Sequence, residues 1–87
     1  MKFLPGRIVA TPGVREAVSE EVLSAALERH LNGDWGDVSD NDRAANERAL
    51  RDGTRLLSVY HAPDKTKFYV ITEADRSATT LLLPGDY

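Results

Sequence analysis

The chain has 87 residues, 41% of them hydrophobic and 29% charged, a formal net charge of −3 and no cysteine. This composition is that of one globular domain over residues 1–87, so it excludes intrinsic disorder, a disulfide framework and a thiolate zinc site. No apolar run approaches the roughly 20 residues that a membrane span requires, so we expect a cytoplasmic protein without membrane contact.

The first third of the chain predicts a strand followed by helical structure. Arg7–Ala10 is a short β-branched run, and Thr11 before Pro12 is typical of a helix start. Apolar residues at three- and four-residue steps then predict a helical face that reaches Leu31. Ser19 before two glutamates is a second capping signal, so this segment is either one helix or a short turn followed by a longer helix.

A loop and a second helical segment follow. Gly33 ends the first helical segment, and the loop after it holds Trp35, the only tryptophan of the chain. Ser39 with aspartates behind it predicts a new helix that ends at Gly53. Its apolar face is weak, so we expect Trp35 and Val38 to pack beneath it.

The last third predicts three antiparallel strands over residues 55–61, 67–73 and 79–83, because β-branched and aromatic residues alternate there and turn residues separate the runs. The order is therefore β-α-α-β-β-β. We predict an α+β domain whose helices pack on one face of a mainly antiparallel sheet that also includes Arg7–Ala10.

Negative charge is concentrated between Asn32 and Asp42, a stretch that holds four aspartates and no lysine or arginine. Nucleic-acid binders normally carry a basic stripe, so this pattern argues against a nucleic-acid partner. The alternating aspartates, central glycine and closing glutamate of a calcium loop are absent, so we expect helix capping here and no metal. The residues also predict no cofactor.

An acidic surface around the tryptophan loop is the predicted binding site for a protein partner. Tryptophan is common at interface hot spots, although in so small a domain a single tryptophan is also a natural core residue, and both interpretations stay open. The predicted binding residues are Asp34, Trp35, Asp37, Asp42, Asn46 and Arg55.

A competing hypothesis is catalytic and uses residues at strand ends. His61 as a general base, Arg76 over a phosphate and Tyr60 nearby form a minimal ribonuclease-like set, with Thr79 or Thr80 beside them. No second general acid lies at a fixed spacing, so we favour a protein without catalytic activity. His30, at the end of the first helical segment, is expected to interact with the helix dipole.

Spaced motifs from about Thr11 to Tyr87 resemble a small bacterial and phage family often labelled "plasmid-related protein" or type I restriction methylation subunit. The resemblance implies association with a mobile element and supplies no catalytic residues. The methylation label conflicts with the residues, since no glycine-rich strand-to-helix turn for a nucleotide cofactor is present. The motifs are Arg29-His30, Gly33-Asp34-Trp35-Gly36, Ser58-Val59-Tyr60 after Arg55, Ile71-Thr72-Glu73, Asp75-Arg76-Ser77, Thr79-Thr80 and Leu82-Leu83-Pro84 with Tyr87.

The element order is also similar to that of small toxin ribonucleases of the RelE and ParE type. Those toxins are usually basic, whereas this chain is acidic, and likeness of topology is a weak basis for function. We therefore predict an accessory protein of mobile-element origin that acts through a protein partner, as a monomer or weak dimer.

Overall fold

The computed structural model describes all 87 residues and contains one sheet of four strands. The strands are β1 (Arg7–Ala10), β2 (Leu56–His61), β3 (Lys67–Thr72) and β4 (Ala78–Leu82). Their order in the sheet is β1-β4-β3-β2. Pairs β2–β3 and β3–β4 are antiparallel, whereas β1 lies parallel to β4, so the predicted mainly antiparallel sheet is confirmed.

Three helices lie between β1 and β2, and a 3₁₀ turn at Pro84–Asp86 follows β4. The first helical segment is broken, because Val18 leaves the helical region with φ −129° and ψ 134° and the Ser19 hydroxyl then caps a new helix by accepting from the Val22 N–H. The short-then-long alternative is therefore correct. The helices are α1 (Pro12–Ala17), α2 (Glu20–Leu31) and α3 (Asp40–Asp52).

The larger core cluster joins α1 and α2 to one face of the sheet. Val14 from α1 and Ala26 from α2 pack with sheet side chains that all point the same way. The opposite face carries side chains that belong to neither core cluster, although Val59, Ile71 and Leu82 on this face are buried. Those on the helix-covered face are Tyr60, Phe68, Val70 and Leu81, and those on the opposite face are Leu57, Val59, Tyr69, Ile71 and Leu82.

The second core cluster anchors α3. Trp35, Ala49 and Leu56 are buried together, and Val38 packs against them, as the weak apolar face of this helix predicted. Trp35 is 1% exposed, and its indole Nε1 donates to Glu47 Oε2 on α3 at 2.8 Å. None of the three helices has the length and apolar character that crossing a bilayer demands.

The outer edge of β2 is closed by side-chain and loop contacts. The Asn46 side chain of α3 donates to the Leu57 carbonyl at 2.7 Å and accepts from the Leu57 N–H at 3.0 Å, which replaces a missing neighbouring strand. Two residues on, the Val59 N–H donates to the Trp35 carbonyl and the Val59 carbonyl accepts from the Asp37 N–H. This closure holds the acidic loop against the sheet.

Candidate functional site

A groove of about 500 Å³ lies on the face of the sheet opposite α1 and α2. Its floor is formed by β2 and β3, one wall by the start of α3 with the loop before it, and the other by the C-terminal turn. We call it the tyrosine groove. Its lining residues are Asp37, Val38, Ser39, Asp42, Leu57, Val59, Lys67, Tyr69, Pro84 and Tyr87.

Two tyrosine rings give the groove its aromatic surface. Tyr69 and Tyr87 meet edge to face with ring centroids 6.2 Å apart, and Tyr87 remains 64% exposed. The Arg55 guanidinium lies 5.6 Å from the Tyr87 ring, and Lys67 Nζ lies 5.6 Å from the Tyr69 ring. Each ring therefore already has a positively charged side chain near its face, and the quadrupole of an aromatic ring attracts positive charge to that face.

Two carboxylates stand on the α3 side of the groove. The Asp42 N–H donates to the capping Ser39 hydroxyl at 3.1 Å, but the exposed Asp42 carboxylate takes part in no ion pair or hydrogen bond. The other carboxylate, Asp37, is 66% exposed, and its Oδ2 lies within hydrogen-bond distance of His61 Nδ1, at 2.7 Å. Two aspartates and two tyrosines thus line the same groove.

Of the six predicted binding residues, the structure brings three to this groove: Asp37 and Asp42 line it, and Arg55 lies over the ring of Tyr87. Trp35 and Asn46 are buried and serve packing and edge closure, so the core alternative for Trp35 describes its position. Sequence reasoning missed both tyrosines, although the alternation of β3 already placed Tyr69 on the face opposite Phe68.

Asp34 lies outside the groove in an ion pair of its own. Its carboxylate accepts from Arg29 Nε at 2.7 Å and from Arg29 Nη2 at 3.2 Å, and the Arg29 guanidinium lies 4.7 Å from the Tyr60 ring. The hydrogen bond from Arg29 is the main reason that the pKa of Asp34 is lowered. Both side chains are about half exposed, so the pair contributes little to stability.

The three residues of the catalytic alternative do not converge. Tyr60 points into the core, where its hydroxyl donates to the Asp34 carbonyl at 2.6 Å and burial raises its pKa to about 12. His61 is the next residue of β2 and therefore points to the other side of the sheet. It pairs with Lys67 at one end of the β2–β3 ladder.

Arg76 lies at the other end of that ladder and is held by backbone carbonyls. Its Nη1 donates to Thr54 at 2.6 Å and to Glu73 and Ala74 at 3.1 Å each, and Nη2 donates to Ala49 at 2.9 Å. The six residues of β2 span about 17 Å, and that length separates Arg76 from His61. Arg76 therefore joins the β3–β4 turn to the end of α3 and shares no site with His61.

His30 has a role that sequence reasoning did not predict. It is fully buried, with Nδ1 2.6 Å from the Ser58 hydroxyl and Nε2 2.9 Å from the Thr72 hydroxyl. Thr72 continues to Thr79 at 2.7 Å, and Thr79 donates to the Pro5 carbonyl at 2.7 Å. The expected interaction with the helix dipole is thus replaced by a buried chain of hydrogen bonds.

Counting donors fixes the tautomer of His30. Thr79 donates its only hydroxyl proton to the Pro5 carbonyl, so in its hydrogen bond with Thr72 it can only accept. Thr72 therefore donates its own hydroxyl proton to Thr79 and accepts a hydrogen bond from His30. His30 Nε2 therefore carries the proton, and Nδ1 accepts from Ser58. Burial, reinforced by the positive charge of Arg76, lowers the pKa of His30 to about 4, so the ring is neutral at pH 7.

Comparison with known proteins found no similar protein, so the function is inferred from the residues of the groove. No protein-family model matches the chain, and neither curated protein sequences nor solved structures gave a match. The structure also contains no group of three or more histidine, aspartate or glutamate side chains placed to hold a metal ion. The fold and the groove define a small α+β domain with a groove of aromatic, acidic and basic side chains on one face of its sheet.

Proposed function

We propose that this protein is a non-enzymatic binding module whose tyrosine groove takes an arginine-bearing segment of a protein partner. The observation that carries the proposal is that the free carboxylate of Asp42 lines the same groove as the rings of Tyr69 and Tyr87. A cation bound there gains both an ion pair and an aromatic face. The mobile-element origin of the chain and its cytoplasmic location remain predictions.

Arginine fits this arrangement better than lysine does. A guanidinium is planar and weakly hydrated, so it stacks on an aromatic ring while its N–H groups point at a carboxylate. Arg55 already lies at such a distance from Tyr87 within the chain. A partner arginine on the Asp42 side of the rings would repeat that contact with a carboxylate in reach.

The size of the groove fits one side chain with flanking backbone. It is open and shallow, with a volume of about 500 Å³, so a bound segment would keep much of its surface in water. Exposed cation–π contacts and exposed ion pairs contribute about 0.5–1 kcal/mol each. We therefore expect weak, salt-sensitive binding in which a larger partner supplies further contacts.

The test uses a labelled peptide in which glycine and serine flank two arginines, with lysine and glutamate versions as comparisons, and measures fluorescence anisotropy at low salt. The arginine peptide should bind most tightly. Asp42→Asn should raise its Kd about two- to fivefold, the loss of one exposed ion pair. Tyr87→Leu should weaken binding by a similar factor through the lost ring.

The matched control is Asp52→Asn, which removes the same charge at the other end of α3, outside the groove. This variant should bind the arginine peptide as the wild type does. Equal weakening by Asp42→Asn and Asp52→Asn would reduce the effect to overall charge and contradict the proposal. Tighter binding of the glutamate peptide would instead identify Arg55 and Lys67 as an anion site and would overturn it.

A further inference from the structure

The two edges of the sheet differ in their protection. Asn46 and the loop around Gly36 close the edge of β2, as described above. Strand β1 forms the other edge and pairs only with β4. Unprotected edges offer unpaired backbone groups to any further strand, and natural proteins usually block them with charge, proline or a covering element.

The strand at this open edge exposes two of the five large hydrophobic side chains that the chain exposes. Ile8 is 51% exposed and Val9 38% exposed, on opposite faces of β1. An open groove of about 410 Å³, lined in part by Ile8, Leu23 and Leu27, runs beside the edge on the helical face.

Backbone geometry fixes which groups of β1 point outward. The N–H groups of Arg7 and Thr11 donate to the Ser77 and Leu81 carbonyls, towards the sheet. In a parallel pair, alternate residues direct both backbone groups to the same neighbour, so Val9 also points towards β4. The N–H and C=O groups of Ile8 and Ala10 therefore face the open edge.

We propose that this edge is a dimerisation surface on which two copies of the chain pair antiparallel through β1. With the two-fold axis between the two Val9 residues, Ile8 of each copy lies opposite Ala10 of the other. Each of these two pairs exchanges two backbone hydrogen bonds, so every outward group finds a partner. The two Val9 residues form the non-hydrogen-bonded pair at the centre.

Charge and symmetry favour a second copy over an unrelated strand. The only charged residue of β1 is Arg7, which in this register lies opposite Thr11 of the other copy. The two Arg7 residues are then four residues apart along the strands, about 14 Å, so no like charges meet. An isologous contact needs such self-complementarity, and β1 has it in sequence and in backbone direction.

The surface is small, which sets the kind of dimer to expect. Each copy contributes four strand residues and the border of the neighbouring groove, so the total surface buried in the dimer is below roughly 1,200 Å², the low end for specific interfaces. The pairing is therefore reversible and depends on concentration. It leaves the tyrosine groove free, because the residues that line that groove belong to β2, to β3, to the start of α3 with the loop before it and to the C-terminal turn, and none belongs to β1.

Single cysteine variants test the register, since the natural chain has no cysteine. The proposed axis places two Val9→Cys side chains in a non-hydrogen-bonded antiparallel pair with Cα atoms about 4.5 Å apart, within disulfide reach. The control Arg7→Cys lies on the same strand and face but at about 14 Å from its copy. Under mild oxidation V9C should form disulfide dimers at least about tenfold faster than R7C, because pairing raises the effective thiol concentration.

Sedimentation equilibrium tests the same surface without a covalent crosslink. The average mass of the wild type should rise towards twice the monomer mass as concentration increases, and Val9→Lys should abolish the rise by placing two ammonium groups opposite each other. A thermal melt of each variant confirms folding. Equal crosslinking of V9C and R7C, or a wild type that stays monomeric up to about 1 mM, the weak end of specific association, would overturn the proposal.

Discussion

The buried His30 makes a quantitative prediction about stability and pH. Its pKa is about 4 in the folded protein, against an ordinary value of 6.5 in the unfolded chain. Above pH 6.5 neither state binds a proton at this ring. As the pH falls from 6.5 to 4 the unfolded state binds the proton and the folded state does not, so the free energy of unfolding decreases. The difference between these two pKa values corresponds to a loss of about 3 kcal/mol over this range.

Urea unfolding at several pH values between 7 and 4 measures this loss, and His61→Gln serves as the control because it removes the other histidine and leaves the buried chain intact. Both proteins should lose about 3 kcal/mol attributable to His30, beyond what acidic groups contribute below pH 5. Nitrogen NMR gives the direct check, with a neutral Nε2–H ring down to about pH 4. A His30 that titrates near 6.5, or that carries its proton on Nδ1, would refute the burial and donor-counting argument.

Two further stability predictions concern residues that hold the site in place. Asn46→Ala leaves the Leu57 N–H and C=O without partners and should lower the free energy of unfolding, measured in urea, by about 2–3 kcal/mol. The control Asn41→Ala, at an exposed position of the same helix, should change the free energy of unfolding little. Equal effects of the two substitutions would contradict the edge-closing role of Asn46. Arg76→Ala removes donors to the carbonyls of Ala49 and Thr54 and should cost about 2 kcal/mol. Arg76→Lys should recover only part of this, and full recovery would show that charge alone matters.

Much of the fold follows from local sequence signals. Period-two alternation located β2 and β3, and the serines at positions 19 and 39 are the caps of α2 and α3. These signals depend on neighbouring residues, so a single sequence contains them. The parallel pairing of β1 with β4 is different, because it depends on how three helices return the chain to the sheet. No local pattern reports that path.

The role of His30 was missed because its partners, Ser58 and Thr72, come from two strands that lie far from it in the sequence. The sequence nevertheless contains a signal: Leu23, Ala26 and His30 follow three- and four-residue steps, which places the histidine on the buried face of α2. A buried histidine needs hydrogen-bond partners. Thr72 and Thr79 supply part of that chain from core-facing positions of β3 and β4, and this match appears only once the strands are paired.

The candidate site was predicted in part for the same reason. Asp37 and Asp42 were identified by the uneven charge, which is a property of the sequence alone. Their aromatic neighbours were not, since Tyr69 and Tyr87 are 18 residues apart and meet only because the chain turns back after β4. His61 and Arg76 were grouped because both were predicted at strand ends, but the register of β2 and β3 places them at opposite ends of that strand pair.

An amide NMR titration with the arginine peptide shows where on the protein surface the peptide binds. If the tyrosine groove binds arginine, the chemical-shift changes are confined to the groove, are strongest around Asp42, Tyr69 and Tyr87, and are reduced in Asp42→Asn. Changes that instead centre on the Arg29–Asp34 pair, or that spread evenly over the acidic residues, would contradict binding in the groove and place it elsewhere on the surface.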